Sequence, residues 1–93
     1  MSNQFLMLTD SALVSTSTIL DIIAERKNQR QKWGIQSHGI NSWLMILGEE
    51  FGEACKSGNE SYFREAPLSE LRKEVIQVAA VAIAIIEAIG DVK

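Results

Sequence analysis

The stretch PLSELRKEVIQVAAVAIAIIEAIG, residues 67–90, decides the fold of this chain. It has no helix breaker between its proline and its final glycine, so it predicts one long helix. We expect this helix to open at Pro67 or after Ser69, because proline fits the first turn of a helix. It should run to Ile89, where Gly90 provides the cap.

The middle of this helix, from Val75 to Ile86, is apolar on nearly every side. As a helix it is about 18 Å long, too short for the roughly 30 Å hydrocarbon core of a membrane, so we expect no membrane partner. Two further helices could cover about half of this apolar surface. The sequence therefore predicts that the other half is buried against a second copy of the chain. Close approach of that copy is expected at four small residues: Ala79, Ala80, Ala82 and Ala84.

The first helix is expected to begin near Ser17 or Thr18, whose hydroxyls can cap free amides, and to end at about Lys32. Its second half is rich in Arg and Lys, which is typical of a solvated helix end that complements the helix dipole. Residues 1–16 have no clear pattern and are left unassigned.

The second helix is expected to start with Asn41 or Ser42 as its cap and to end at about Lys56. Three helix-breaking residues should stop it there: Ser57, Gly58 and Asn59. The chain therefore predicts an all-α fold, an antiparallel helical bundle completed by oligomerisation.

The composition limits the classes of function. The 93 residues make a single domain, 1–93, and the net charge of −3 disfavours binding to nucleic acid. Cys55 is the only cysteine, so an internal disulfide and a cysteine-rich zinc site are both excluded. The N-terminus has neither the basic start nor the long apolar run of a signal peptide, so we expect a cytoplasmic protein.

Two polar pairs on the second and third helices form the candidate chemical site. Glu50 and Glu53, next to Glu49, are three residues apart, and so are Glu74 and Gln77, which puts each pair on one helix face. If the two helices pack antiparallel, the pairs converge, and Mg²⁺ prefers such oxygen ligands. The alternative is a solvated surface with salt bridges to a nearby lysine.

The segment ERKNQRQKWGIQSHGINSW, residues 25–43, precedes the second helix. It combines Arg30 and Lys32, which could hold phosphate, with Trp33 and His38, which could contact a base. The alternative is a capped turn in which the tryptophan packs against the end of the bundle and the histidine has a loop or capping role.

The order Glu49, Glu50, Glu53 and then Glu74, Gln77 resembles the EExxE…ExxD signature of MazG-like, all-α nucleoside triphosphate pyrophosphohydrolases. The likeness covers about residues 25–89. It implies a cytoplasmic house-cleaning enzyme that uses Mg²⁺ to cleave (deoxy)nucleoside triphosphates into monophosphate and pyrophosphate. It also implies dimers or dimers of dimers, in agreement with the apolar third helix.

The resemblance also implies roles for individual residues. Glu50, Glu53 and Glu74 match the metal ligands, and Glu49 matches the glutamate that holds or activates the attacking water. Gln77 departs from the pattern, because it stands where the signature has Asp and offers a neutral amide in place of a carboxylate.

The remaining assignments concern the substrate and the rival functions. The outer phosphates are assigned to Arg30, Lys32 or Lys73, and the base and sugar to Trp33 or His38. One rival is a related enzyme acting on phosphoribosyl-ATP. Another is a non-catalytic helical oligomer with a regulatory role, in which the acidic pairs are surface features.

Overall fold

A computed structural model describes residues 13–90 of the chain. This part consists of three α-helices with no strand: α1 (Thr16–Trp33), α2 (Ile40–Arg64) and α3 (Leu68–Ile89). The predicted all-α class is confirmed for it. Most of the N-terminal segment that the sequence left unassigned lies outside the described residues.

Helix α3 is the central element and matches its sequence-based boundaries. It starts directly after Pro67 and ends at Gly90, whose φ of 69° is a conformation that glycine adopts easily. It packs against both α1 and α2, whereas within the described range no Cα of α1 comes within 8 Å of a Cα of α2. The short connection between α2 and α3 makes these two helices antiparallel neighbours.

The predicted end of the second helix near Lys56 is wrong. Helix α2 continues to Arg64 and passes through the three residues expected to stop it: Ser57, Gly58 and Asn59. The reason is packing, because Gly58 lies against Leu71 of α3, and a Cβ at Gly58 would be 3.9 Å from Leu71 Cδ1. Tertiary contact outweighs the helical cost of glycine, which is about 1 kcal/mol.

The turn between α2 and α3 is consequently only residues 65–67. Glu65 has φ 53° and ends the helix in the left-handed conformation. The next residue, Ala66, donates its backbone N–H to the carbonyl of Glu60 at 3.2 Å. The connection predicted over residues 56–67 is therefore shorter than expected.

The predicted N-caps of the first two helices are also wrong. The sequence indicated Ser17 or Thr18 for the first helix, and Asn41 or Ser42 for the second. In the structure Ser15 caps α1, because its Oγ accepts a hydrogen bond from the Thr18 N–H at 3.2 Å. Gly39 precedes α2 without a side-chain cap, and its carbonyl accepts the Trp43 N–H at 3.0 Å.

The apolar core is small and is centred on α3. Its buried apolar members among the described residues are Trp43, Ala54, Ala80, Val81, Ala84 and Ile85. Two of the alanines expected to meet a second copy, Ala80 and Ala84, are therefore buried within the chain itself. The other two, Ala79 and Ala82, are only half-buried.

A stripe of small and apolar residues on α3 remains uncovered. The α3 stripe consists of Val75, Ala79, Ala82, Ile86 and Ile89, spaced alternately four and three residues apart. Its largest side chains are about half exposed or more, and Ile86 reaches 62%. No helix within residues 13–90 combines the length and the apolar character needed to cross a membrane.

Candidate active site

Helices α2 and α3 bring three of the predicted site residues into contact. Gln77 donates hydrogen bonds from Nε2 to Glu50 Oε2 and to Glu74 Oε2, each 3.1 Å long. We assign the amide this orientation from its surroundings, because turned the other way its oxygen would face only acceptors. We call Glu50, Glu74 and Gln77 the acidic junction.

The electrostatics of the junction disfavour negative charge on Glu50. Partial burial raises the pKa of the Glu50 carboxyl above its ordinary value of 4.5, and the nearby carboxylates of Glu74, Glu25, Glu53 and Glu49 raise it further. Both effects penalise the ionised form. A cation at this point would remove that penalty.

Glu25 of α1 belongs to this acidic group, although the sequence did not mark it as a site residue. It is half-buried and acts on the Glu50 carboxyl, so all three helices contribute negative charge. The signal was its position three residues after Ile22, on the inward face of α1. That face was overlooked because the following basic residues indicated a solvated helix end.

Glu49 and Glu53 lie next to the junction and are exposed. Glu49 lines a small cleft of about 180 Å³ together with Glu50, Trp33, Gln36 and Ile46. Glu49, the candidate for holding the attacking water, and Glu50, a candidate metal ligand, thus line the same cleft as Trp33.

The side chains present fit Mg²⁺ only in part. Among residues 13–90 no three carboxylate, imidazole or thiolate groups are close enough together to hold a metal ion. Glu50 and Glu74 nevertheless meet at one amide group, and Mg²⁺ in proteins is commonly bound by one or two carboxylates together with substrate phosphates. The donor chemistry therefore fits, although the Gln77 amide would have to turn to offer its oxygen.

A larger cleft lies between α1, the start of α2 and the end of α3. We call it the tryptophan cleft; its volume is about 230 Å³, and it shares Trp33, Gln36 and Ile46 with the smaller cleft. Arg30 and Trp33, two of the predicted substrate-binding residues, line it. Its opening therefore adjoins the cleft that contains Glu49 and Glu50.

The other predicted substrate-binding residues have separate positions. The Lys32 Nζ is 5.7 Å from the centre of the Trp33 ring, and the His38 ring packs edge-on against Trp43 with the ring centres 4.8 Å apart. Lys73 does not line the tryptophan cleft. It pairs with Glu70 at 3.8 Å and borders a different pocket.

Gln29 is a second residue that the sequence reading missed. It lines the tryptophan cleft and is only 5% exposed, the one buried polar residue of α1. It follows Glu25 by four residues, on the same inward face. A polar residue at that spacing was the available signal.

Comparison of the chain with family models, with curated proteins and with solved structures found no match.

Proposed function

We propose that this chain is an Mg²⁺-dependent, MazG-like nucleoside triphosphate pyrophosphohydrolase in the cytoplasm, which releases monophosphate and pyrophosphate. The observation that carries the proposal is the acidic junction, where Glu50 and Glu74 from two helices meet at one point. This point lies beside a cleft lined by Glu49 and Trp33. Acidic groups next to an aromatic cleft suit a ligand with phosphates at one end and a planar ring at the other.

Glu50 and Glu74 would hold Mg²⁺, with Glu53 as a further ligand after a side-chain movement. Bound Mg²⁺ would neutralise the negative charge that develops on the phosphates in the transition state. Gln77 would turn its amide so that its oxygen, instead of its nitrogen, faces the centre of the junction. The raised pKa of the Glu50 carboxyl supports Mg²⁺ binding at the junction, because crowded carboxylates favour a cation between them.

The remaining site residues would bind the substrate and accept a proton from the attacking water. Glu49 would accept a proton from the water that attacks the α-phosphorus, while the bond from that phosphorus to the bridging oxygen breaks. Arg30 and Lys32 would hold the outer phosphates, and Trp33 would stack on the base. Trp33 suits this role because it lines both clefts and is about half exposed.

We propose further that the active form is a homo-oligomer, a dimer or a tetramer. The α3 stripe supports this, because its alternating four- and three-residue spacing presents an apolar line to another helix. Sedimentation equilibrium should give at least twice the chain mass of 10.3 kDa. Ile86→Glu should shift the mass towards the monomer, and a wild-type monomer at micromolar concentration would contradict the proposal.

A second candidate is a non-catalytic helical module, and one observation favours it. The Gln77 Nε2 group already bridges Glu50 and Glu74, so the junction is satisfied without a cation. In this case Mg²⁺ would not change the thermal unfolding midpoint of the protein.

The deciding experiment measures pyrophosphate and monophosphate release from a panel of canonical and modified (deoxy)nucleoside triphosphates, with and without Mg²⁺. Glu50→Gln should lower the rate at least about tenfold, because a direct metal ligand should matter no less than an outer-shell group. Glu60→Gln removes the same charge from a half-buried position on α2, where the carboxylate pairs with Arg64, and is the matched control.

Two results of this experiment would reject the enzyme. The first is an absence of cleavage by folded, oligomeric wild type across the panel. The second is a rate for Glu50→Gln equal to that of Glu60→Gln. Cleavage of phosphoribosyl-ATP alone would keep the chemistry and change the substrate.

A further inference from the structure

The side chain of Gln29 lines the tryptophan cleft and has no hydrogen-bond partner among residues 13–90. The residue is 5% exposed, and its amide makes no side-chain hydrogen bond to any residue between 13 and 90. Among residues 13–90, Ser61 Oγ is the fully enclosed side-chain polar atom without a partner, so the Gln29 amide atoms are open to the space beside them and can bind a group there. The tryptophan cleft, which Gln29 lines, is the space from which a partner could reach it.

The surroundings of Gln29 suit a flat ligand. The cleft wall includes Trp33, Trp43, Val81 and Ala84, so it offers aromatic and small apolar surfaces. Arg26 and Arg30 line the same cleft, and neither forms a salt bridge with an acidic residue in the described part of the chain. A planar group with an anionic extension would match both features.

Gln29 is also at a suitable distance from the acidic group. It follows Glu25 by four residues, which places it one turn, or about 6 Å, further along α1 on the same face. Glu25 in turn acts on the Glu50 carboxyl. A ligand with phosphates near the acidic junction could therefore extend its ring to the Gln29 amide.

The chemistry of the amide narrows the choice of ring. A glutamine side chain offers a donor and an acceptor side by side, and nucleobase edges present the complementary pair. We propose that the Gln29 amide hydrogen-bonds the edge of the substrate's nucleobase in the tryptophan cleft and thereby sets base preference. This inference rests on the proposed function and adds a residue that determines specificity.

The test is binding of nucleoside monophosphates and of inorganic triphosphate, measured by calorimetry on the full chain. Gln29→Leu should weaken binding of the preferred monophosphate about tenfold, the loss expected for one or two buried hydrogen bonds. Binding of inorganic triphosphate, which has no base, should stay unchanged. Gln31→Leu, the same change at an exposed position of α1, is the matched control.

Two further readouts separate base recognition from a structural role. The thermal midpoint of Gln29→Leu should stay close to that of the wild type, because the Gln29 amide has no hydrogen bond to a described residue that the change would remove. Gln29→Glu should shift preference towards guanine, whose edge offers two adjacent donors, N1–H and N2–H2, to a carboxylate.

The inference is overturned if Gln29→Leu keeps the nucleotide affinity of the wild type. It is also overturned if the variant loses nucleotide and triphosphate binding equally, or if Gln29→Glu leaves base preference unchanged. A wild-type protein that binds no nucleotide would reject the proposed function as well. A wild-type protein that cleaves nucleotides while Gln29→Leu behaves identically rejects this inference alone.

Discussion

Two glutamines in neighbouring regions of the molecule differ in how their amides are satisfied. In the acidic junction, Gln77 donates to two carboxylates, Glu50 and Glu74, at 3.1 Å each. In the tryptophan cleft, the more deeply buried Gln29 has no side-chain partner among the described residues. The hydrogen bonds of the Gln77 Nε2 group are therefore made within the junction, whereas the cleft contains an amide that only a ligand or water can satisfy.

This difference separates the two regions in their response to ligands. A metal ion entering the junction must displace the hydrogen bonds of Gln77, so part of its binding free energy is offset. A nucleobase entering the cleft would displace no protein hydrogen bond of Gln29. We therefore expect the metal to bind more weakly than at a site with three carboxylates, and substrate phosphates to contribute to its binding.

The largest expected effect on stability comes from removing the donor of the junction. Gln77→Leu leaves the carboxylates of Glu50 and Glu74 facing each other without a shared partner. We expect a loss of about 1 to 3 kcal/mol in the free energy of unfolding at neutral pH, measured with urea in the absence of metal.

Mg²⁺ should restore part of this loss, because it would hold the two carboxylates together in place of the hydrogen bonds from Gln77. Gln31→Leu, at an exposed position of α1, is the control and should change the free energy of unfolding little. Equal stability of Gln77→Leu and Gln31→Leu would show that the two hydrogen bonds of Gln77 contribute nothing.

A second change at Gln77 adds negative charge to the acidic junction. Gln77→Asp replaces the amide with a third carboxylate, so the metal-free protein should be less stable than the wild type. Its Mg²⁺ affinity should rise about tenfold, because the number of charged ligands tunes the affinity of such sites. Titration calorimetry with Mg²⁺ measures this, and an affinity equal to that of the wild type would argue against a metal at the junction.

Part of this arrangement could be predicted from the sequence, and the reasons differ between elements. Helix α3 was predictable because a proline, a glycine and an unbroken apolar run all mark the same helix. The convergence of Glu50 with Glu74 and Gln77 followed from three-residue spacing on two antiparallel helices.

Other features depend on contacts that the sequence does not reveal. The end of α2 was not predictable, because Gly58 is a helix breaker locally and becomes acceptable only through its packing on Leu71. Glu25 and Gln29 were missed for a related reason. Their inward orientation depends on how α1 lies on α3, and the basic residues beside them indicated exposure.

The raised pKa of Glu50 gives a third expected result, which concerns pH. The folded state holds the Glu50 proton more tightly than the unfolded chain does, so this group makes the protein less stable as pH rises above 4.5. Glu50→Gln removes the effect. The thermal midpoint of this variant should therefore rise relative to that of the wild type as pH increases from about 4 to 8. A constant difference across that range would mean that the junction does not disfavour the charge of Glu50.

The smallest expected effect concerns the ion pair that holds α1 against α3. Arg72 donates to Asp21 Oδ2 at 2.8 Å, and both side chains are about half exposed, so Asp21→Asn should cost at most about 1 kcal/mol of stability. Its effect on binding is more informative. Asp21 lies one turn before Glu25 and two before Gln29 on α1, so a loosened α1 should weaken nucleotide binding more than Mg²⁺ binding.

The control for this change is Glu70→Gln, which breaks a pair with Lys73 inside α3 and leaves the α1 contact intact. Equal losses of nucleotide binding in the two variants would mean that the position of α1 does not matter for the cleft. A loss confined to Asp21→Asn would instead show that the cleft depends on α1, while the junction depends on the contact between α2 and α3. Single mutations could then change nucleotide binding in the tryptophan cleft and Mg²⁺ binding at the acidic junction independently of each other.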